Sequence, residues 1–225
     1  MTSCKVVLFD LDDTLTDRPE SVLRYASRLR RDFAGRIGDV GVAEIVDVIT
    51  SVDERGYAPR EQVFSTLLSR IAWRERPEIA DLAEHWALFF PLDTAPREGA
   101  IATLELLREN GFALGIVTNG PVAMQERKIS CLGIAKLMNA IVVSGAVGVH
   151  KPHPRIFEVA RGHFDCASDR IWFVGDHPRN DILGAAAAGF APVWLRGIHP
   201  WPEGVPPPRH QIDSLVEVLP TVCPE

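Results

Sequence analysis

The 225-residue chain contains only four cysteines, and their spacing indicates neither a disulfide framework nor a metal cluster. They form no C-x-x-C pair, the spacing typical of zinc sites; they are Cys4, Cys131, Cys166 and Cys223. Free thiols are typical of proteins in a reducing compartment, whereas small secreted proteins pair their cysteines. We therefore expect four free thiols and a cytoplasmic location.

The sequence also lacks a long apolar run and a cluster of basic residues. No segment approaches the ~18 consecutive apolar residues that a membrane span needs, and the N-terminal stretch does not have the shape of a signal peptide. The net charge is −6, with 24 basic against 30 acidic residues. This balance argues against a nucleic acid or an anionic membrane as the main partner. A small molecule is the class of ligand that remains.

What the sequence does contain is a short apolar strand that ends in acidic residues. Val6–Phe9 has the pattern of a strand that is buried on both faces of a parallel sheet. Asp10, Asp12 and Asp13 follow at its carboxyl end, where α/β folds place their ligand crevices. Carboxylates so close together repel one another unless a cation or a proton lies among them. We therefore predict a divalent metal ion at this point.

The spacing of the three acids indicates different tasks. Residues two apart in an extended chain face the same side, so Asp10 and Asp12 can both reach one reacting atom. One carboxylate can attack a phosphorus while the other gives and takes protons. Asp13 breaks this alternation and is interpreted as a cap of a helix or turn. The alternative is that all three residues only cap a strand-to-helix turn.

Three later polar motifs each follow a predicted strand. Thr118 and Asn119 offer a hydroxyl and an amide that can donate to a phosphate. Lys151 lies in a turn just before two closely spaced prolines, which is not the usual setting of a surface lysine. Asp176 and Asp181 follow a glycine and offer hard oxygen ligands. The preceding strands are predicted at 113–117, 140–144 and 171–174.

The segment from Phe9 to Leu15, Phe-Asp-Leu-Asp-Asp-Thr-Leu, resembles the D-x-D-x-T motif of the haloacid dehalogenase superfamily. The three later motifs resemble the second, third and fourth motifs of that family, in the same order. Most of its members are magnesium-dependent phosphatases. The resemblance implies an α/β fold with a doubly wound, Rossmann-like parallel sheet. It also implies that Asp10 attacks phosphorus to form an aspartyl-phosphate, while Asp12 acts first as an acid and then as a base.

The resemblance further implies a set of binding residues. Mg²⁺ would be held by Asp10, by Asp176 and by the backbone carbonyl of Asp12, while Asp181 would steady a metal ligand or a metal-bound water. A small phosphorylated substrate would be held by its phosphoryl oxygens; the groups implied are the backbone N–H groups of Leu11 and Asp12, with Thr118, Asn119 and Lys151.

Residues 17–96 have a different character from the rest of the chain. Their apolar residues recur at helical spacing, which predicts four or five helices and no strand. A helical insertion after the first motif resembles the family type with an α-helical cap, such as the phosphoglycolate phosphatase-like members. We expect a core of residues 1–16 and 97–225, and a cap of residues 17–96 that excludes water from the site. The candidate substrate contacts in the cap are Arg18, Arg55, Arg60 and Trp86.

The final part of the chain carries less information. Residues 192–195 are predicted as a fifth strand at an edge of the sheet. The proline-rich stretch 200–208 and the residues after it are expected to pack as a loop, with a short helix near 215–219.

Three alternatives to a phosphatase remain open. The first is a 2-haloacid dehalogenase of the same superfamily, against which the acids at Asp12 and Asp176 argue, because that reaction needs no metal. The second is a signalling domain that accepts a phosphoryl group, but such domains are about half this length and lack the insertion. The third is a binding module on the same fold without catalytic activity.

Overall fold

The computed structural model describes residues 5–224, and they divide into two compact units. The sheet unit contains the described residues up to Thr16 and those from Pro96 onward, and the helical unit is Asp17–Ala95. The chain passes from one unit to the other at two short strands, β2 (Thr16–Asp17) and β3 (Ala95–Pro96). That the helical unit acts as a cap stays a prediction.

The described part of the sheet unit forms one six-stranded parallel sheet. The strands are β1 (Val6–Phe9), β4 (Ala113–Thr118), β5 (Ala140–Val143), β6 (Ile171–Gly175), β7 (Ala191–Leu195) and β8 (His210–Ile212). Their order across the sheet is β5-β4-β1-β6-β7-β8. The chain thus winds away from β1 in both directions, which confirms the predicted doubly wound α/β fold.

Helices cover both faces of this sheet. They are α5 (Ala100–Glu109), α6 (Val122–Cys131), α7 (Ser144–Val147), α8 (Pro154–Arg161), α9 (Gly184–Ala187) and α10 (Val218–Val222), with a π-helical turn at Pro178–Leu183. The side chains of β1 alternate between the faces, with Val7 and Phe9 in one apolar cluster and Val6 and Leu8 in the other. No helix in residues 5–224 is long and apolar enough to cross a bilayer.

The register of the central strands brings their carboxyl ends to one edge. Phe9 of β1 lies opposite Ile116 of β4 and Val174 of β6. Because the three strands are parallel and in register, the residues that follow them emerge side by side. Asp10 and Asp176 come after two of these strands, and Thr118 is the last residue of the third. The fold therefore places the polar motifs at one place in the sheet unit.

The predicted edge position of the fifth strand is wrong. β7 pairs on one side with β6 and on the other with β8, so it is an interior strand. The edge is formed by His210–Ile212, within the segment that we expected to be a loop. β8 has only three residues, and so short a strand does not reveal an alternating pattern in the sequence.

The expectation of free thiols is wrong for one cysteine. Cys131 and Cys223 are free and exposed, whereas Cys166 is disulfide-bonded. Spacing along the chain does not show which thiols the fold brings together, so the sequence could not reveal this bond. The prediction for Cys4 falls outside the described residues.

The helical unit is built from four helices, and all of its residues are described. They are α1 (Arg18–Asp32), α2 (Val42–Asp53), α3 (Arg60–Arg70) and α4 (Ile79–Phe89), with a 3₁₀ turn at Glu54–Gly56. Its core contains an aromatic group in which Trp86 stacks on Phe90 at 4.0 Å between ring centroids and meets Tyr25 edge to face. Aromatic side chains bury large apolar areas, so this group contributes much of the packing energy of the helical unit.

Candidate active site

The acidic end of β1 is buried and tied to the neighbouring strand. Asp10 is 7% exposed, and its backbone N–H donates to the carbonyl oxygen of Val174 at 2.9 Å. The chain then turns sharply, because the backbone N–H groups of Leu15 and Thr16 both donate to the carbonyl oxygen of Leu11. This turn keeps the residues after Asp10 at the end of the strand.

Lys151 joins two carboxylates that lie far apart in the sequence. Its Nζ atom donates to Oδ1 of Asp10 at 2.6 Å and to Oδ1 of Asp181 at 2.7 Å. Only 2% of the lysine side chain is exposed. Burial works to lower the pKa of Lys151, but the charges of Asp10 and Asp181 outweigh it and raise the pKa. A protonated lysine is therefore fixed beside Asp10.

Asp181 returns to the end of β6 through a helical turn that glycine makes possible. Its Oδ2 atom accepts from the backbone N–H of His177 at 2.9 Å. A Cβ atom added to Gly175 would lie 2.4 Å from Cβ of Asp181, which no side chain tolerates. Glycine at position 175 is thus required for Asp181 to reach the site.

Three carboxylates converge at this point. Oxygen atoms of Asp10, Asp176 and Asp181 lie within 4.8 Å of one another, and all three residues are buried. Burial raises the pKa of Asp10 to about 7; Lys151 lowers it, and Asp181 adds to the rise. The pKa of Asp176 is raised for the same reason, first by burial and then by Asp181. One lysine does not balance this charge, so the cluster favours a bound cation.

Sequence reasoning missed the residues that hold Asp176. Thr14 donates from Oγ1 to Oδ1 of Asp176 at 2.8 Å, and Nε2 of His199 lies 3.4 Å from its Oδ2. The indole N–H of Trp194 donates to the backbone carbonyl of Asp176 at 3.0 Å. Thr14 is part of the D-x-D-x-T motif, which was a signal for it; nothing in the sequence singled out His199 or Trp194.

Asn119 has a contact that the sequence did not predict. Its side-chain oxygen accepts from the backbone N–H of Lys151 at 2.8 Å, and its side-chain nitrogen donates to the carbonyl oxygen of Lys151 at 3.1 Å. Both ends of the amide thus fix the loop that carries the lysine. Thr118, at the end of β4, is 1% exposed.

Asp12 meets two buried residues of α6. Nζ of Lys128 lies 2.7 and 2.8 Å from the two carboxylate oxygens, and Nε2 of Gln125 donates to Oδ2 at 2.9 Å. Gln125 and Lys128 lie three residues apart, so they share one face of the helix. In the sequence, these two residues are marked only by their helical spacing and by the neighbouring apolar Ile129.

The four residues of the helical unit that were predicted as candidate substrate contacts all have neighbours within that unit. Arg18 and Arg60 both bind Asp53, at 2.6 and 2.7 Å, and Trp86 is buried. Arg55 adopts a left-handed backbone conformation with φ of 53°. It lines a cavity of about 210 Å³ together with Arg18, Pro19, Val22, Thr50 and Asp53.

Comparison with known proteins shows which family the chain is similar to. The family model of haloacid dehalogenase-like hydrolases matches residues 4–189. A glyceraldehyde 3-phosphate phosphatase of Methanopyrus kandleri is 35% identical over 198 residues, or 85% of this chain and 84% of the relative. A phosphoserine phosphatase of Thermus thermophilus is 39% identical over 122 residues, or 53% of this chain and 48% of the relative. The crystal structure of a putative HAD-hydrolase, YfnB from Bacillus subtilis, superposes with a TM-score of 0.77 at 21% identity, covering 99% of this chain and all of the other.

The chain belongs to the haloacid dehalogenase-like hydrolases, because the family model covers most of its length and a relative above 30% identity covers most of both proteins. It is a hydrolase of that family, and the named relatives are phosphatases. The resemblance drawn from the four motifs is thereby confirmed. The roles of the individual residues stay predictions.

Proposed function

We propose that the chain is a Mg²⁺-dependent phosphatase that hydrolyses a small phosphomonoester through an aspartyl-phosphate on Asp10. The observation that carries this proposal is the contact of Lys151 with Asp10 and Asp181, beside the carboxylate cluster that includes Asp176. A buried nucleophilic carboxylate paired with a fixed cation suits attack on an anionic phosphoryl group.

In the first step, a carboxylate oxygen of Asp10 forms a bond to phosphorus. The bond from phosphorus to the ester oxygen breaks, and its electron pair goes to the leaving oxygen. Asp12 gives that oxygen a proton, so the product leaves as an alcohol. Lys151 offsets the charge on the phosphoryl group as it is transferred.

In the second step, a water molecule attacks the phosphorus of the aspartyl-phosphate. Asp12, now ionised, takes a proton from that water. The bond between phosphorus and Asp10 breaks, which releases inorganic phosphate and restores the Asp10 carboxylate. One residue thus serves as acid and base in turn, which requires a side chain free to exchange a proton with solvent. The carboxylate of Asp12 is 32% exposed, and this supports the assignment.

The carboxylates fit a magnesium ion. The cluster offers hard oxygen donors that are buried and close together. Burial raises the pKa of Asp10 and of Asp176, and repulsion from Asp181 adds to both rises, so a bound cation would relieve the cost of ionising them. In this proposal Asp10, Asp176 and the backbone carbonyl of Asp12 hold the ion, and Asp181 steadies it. When bound, Mg²⁺ neutralises charge on the carboxylates and the phosphoryl oxygens.

The remaining predicted residues would hold the phosphoryl oxygens. Thr118 offers its hydroxyl, and Leu11 and Asp12 offer backbone N–H groups at the turn after β1. Asn119 would contribute through its backbone N–H, since its side chain is bonded to Lys151.

The substrate in this proposal is a small phosphorylated metabolite. The relatives named above act on glyceraldehyde 3-phosphate and on phosphoserine, both of which are phosphomonoesters of small alcohols. We propose that the helical unit is the cap that selects among such substrates. A 2-haloacid dehalogenase is the weaker alternative, because a metal-free reaction gives no reason for the surplus of buried carboxylates.

The test is a phosphatase assay over a panel of small phosphomonoesters that includes these two. Wild-type protein with Mg²⁺ should release phosphate, EDTA should stop the release, and added Mg²⁺ should restore it. Equal phosphate release in the presence of the chelator would contradict the Mg²⁺ requirement. No phosphate release, together with hydrolysis of chloropropionate, would favour the dehalogenase alternative.

The matched variants are Asp10→Asn and Asp169→Asn. Asp169 is exposed and precedes β6, at the opposite end of the strand from the site. Asp10→Asn should abolish turnover and leave the circular dichroism spectrum unchanged, whereas Asp169→Asn should keep full activity. Undiminished hydrolysis by Asp10→Asn would remove Asp10 as the nucleophile.

A further inference from the structure

Two buried polar residues of α6 contact the residues to which catalysis is assigned. Gln125 is 1% exposed and Lys128 is 3% exposed. A buried ammonium group is costly unless it is paired, and a helix that only had to pack on a sheet would carry apolar residues there. Lys128 places its Nζ atom between both carboxylate oxygens of Asp12, at 2.7 and 2.8 Å. A contact with both oxygens restricts rotation of the carboxylate.

Gln125 links the same carboxylate to the end of β4. Its Nε2 atom lies 2.9 Å from Oδ2 of Asp12, 3.2 Å from the carbonyl oxygen of Asn119 and 2.6 Å from Oγ1 of Thr118. The carbonyl oxygen of Asn119 can only accept hydrogen bonds, and so can the ionised carboxylate of Asp12, so the nitrogen of the amide must be the end that faces them. The orientation of Gln125 therefore follows from its surroundings.

This orientation determines the hydrogen bonding of Thr118. An amide nitrogen donates and does not accept, so Oγ1 of Thr118 must accept the hydrogen bond from Gln125. The hydroxyl proton of Thr118 is then directed away from Gln125, and the structure pairs it with the carbonyl oxygen of Asn119 at 3.5 Å. That contact is at the limit of hydrogen-bond distance, so the proton is available to a closer acceptor. A group that must donate elsewhere is suited to a phosphoryl oxygen, which can only accept.

The glycine after Asn119 leaves room for this arrangement. A Cβ atom added to Gly120 would lie 3.1 Å from Cδ of Gln125, closer than almost all such contacts. Gly120 also has a φ of 142°, which side chains rarely adopt. The turn after β4 is thus shaped around the glutamine.

We infer that Lys128 and Gln125 are positioning residues of the active site. Lys128 holds Asp12 through one carboxyl oxygen while the other oxygen carries the proton that passes to the leaving group, and Gln125 fixes the hydroxyl of Thr118 as a donor to the phosphoryl group. This inference rests on the proposed function, since it assumes phosphoryl transfer to Asp10. It adds two residues, and the contacts through which they act, to the predicted site.

The test for Lys128 compares two leaving groups. Nitrophenolate leaves without needing a proton, whereas an alkoxide needs one from Asp12, and general acid catalysis contributes roughly 10²–10⁴-fold. For Lys128→Met we expect kcat/KM for the fastest alkyl phosphomonoester of the panel to fall at least about tenfold further than kcat/KM for p-nitrophenyl phosphate. Lys128→Arg should recover part of the loss, because it restores a cation that can meet both oxygens. The control is Lys136→Met, at an exposed lysine.

The test for Gln125 is a double-mutant cycle with Thr118. Gln125→Met should raise KM for p-nitrophenyl phosphate several-fold in the wild type and change it little in Thr118→Val, because the hydroxyl that it orients is then absent. Additive effects would contradict the link, since they would mean that Gln125 does not act through Thr118. Thermal unfolding of each variant separates these effects from loss of fold.

The outcomes distinguish this inference from the proposed function. If wild-type protein shows no Mg²⁺-dependent hydrolysis, or Asp10→Asn stays active, the proposed function fails. Suppose instead that wild type is active and Asp10→Asn is inactive. If Lys128→Met then lowers kcat/KM by the same factor for both substrates, or behaves like Lys136→Met, the inference alone is overturned. The cycle with Thr118 decides the role of Gln125 even where Lys128→Met does not fold.

Discussion

Nζ of Lys151 lies 2.6 Å from Oδ1 of Asp10, although the two residues are 141 positions apart in the sequence. Both residues are buried, and a buried charge is costly unless it is paired. The opposite charges of Lys151 and Asp10 therefore stabilise each other. The pair is part of a larger set of carboxylates that one lysine does not balance. This excess of buried negative charge should make metal binding sensitive to protonation.

Metal binding should depend on pH around neutrality. Burial raises the pKa of Asp10 to about 7, so below that pH a proton occupies a carboxylate that the metal needs. We expect Mg²⁺ affinity to fall at least about tenfold for each pH unit below that pKa, because at least one proton is displaced and the pKa of Asp176 is raised as well. Isothermal titration calorimetry at a series of pH values measures this. Affinity that does not change on the acidic side of neutrality would contradict it.

Removing the hydroxyl of Thr14 should weaken the metal site without unfolding it. Thr14 is fully buried and donates to Oδ1 of Asp176 at 2.8 Å. Partners that orient a metal ligand contribute roughly 10–100-fold to affinity, so Thr14→Val should lose about that much Mg²⁺ affinity. Thr66→Val, at a threonine whose hydroxyl donates to its own helix, is the control. Equal affinity in both variants would mean that Thr14 does not support the ligand.

A methyl group at Gly175 should displace Asp181. The added Cβ atom would lie 2.4 Å from Cβ of Asp181, so one of the two segments must move. We expect Gly175→Ala to lower the free energy of unfolding by about 1–3 kcal/mol and to reduce activity strongly. Gly35→Ala is the control, because nothing lies within 4 Å of its added Cβ atom. Denaturant unfolding and the phosphatase assay check both parts, and wild-type behaviour of Gly175→Ala would refute the steric argument.

The ion-paired residues of the helical unit should stabilise it in a pH-dependent way. Burial acts to raise the pKa of Asp53, but its hydrogen bonds and charge interactions with Arg18 and Arg60 prevail, and the pKa is lowered. A carboxyl whose pKa is lower in the folded state stabilises the protein above its unfolded pKa of about 3.9 and loses this effect as the pH falls through the folded value.

We therefore expect Asp53→Asn to lower the free energy of unfolding by at least about 2 kcal/mol at neutral pH. The difference from wild type should shrink once the pH falls below the ordinary range of a carboxyl group. Urea unfolding at neutral and strongly acidic pH measures this, with Asp47→Asn, at an exposed position of α2, as the control. A loss that is the same at both pH values would show that the charge of Asp53 is not its cause.

The parts of the site that follow β-strands were predictable from the sequence. Short apolar runs identify buried parallel strands, and such strands bring their carboxyl ends together, so Asp10, Thr118 and Asp176 could be grouped without coordinates. The sheet class followed from the same pattern.

The contacts made from helices and loops were not predictable from periodic patterns, and Lys151 was assigned to the site only through the motif resemblance. Whether Lys128 faces solvent or a carboxylate depends on how α6 packs, and its sequence fits either orientation. His199 lies in the loop after β7, which carries no periodic pattern. β8 was missed because three residues are too few to show one.

The central claim is that Asp10 carries the phosphoryl group during turnover. The most direct measurement is to quench the reaction with acid and locate the phosphoryl group by mass spectrometry of the digested protein. We predict phosphate on the peptide that contains Asp10, and none in Asp10→Asn. Hydrolysis that proceeds with no phosphorylated peptide, or with the group on another residue, would contradict it.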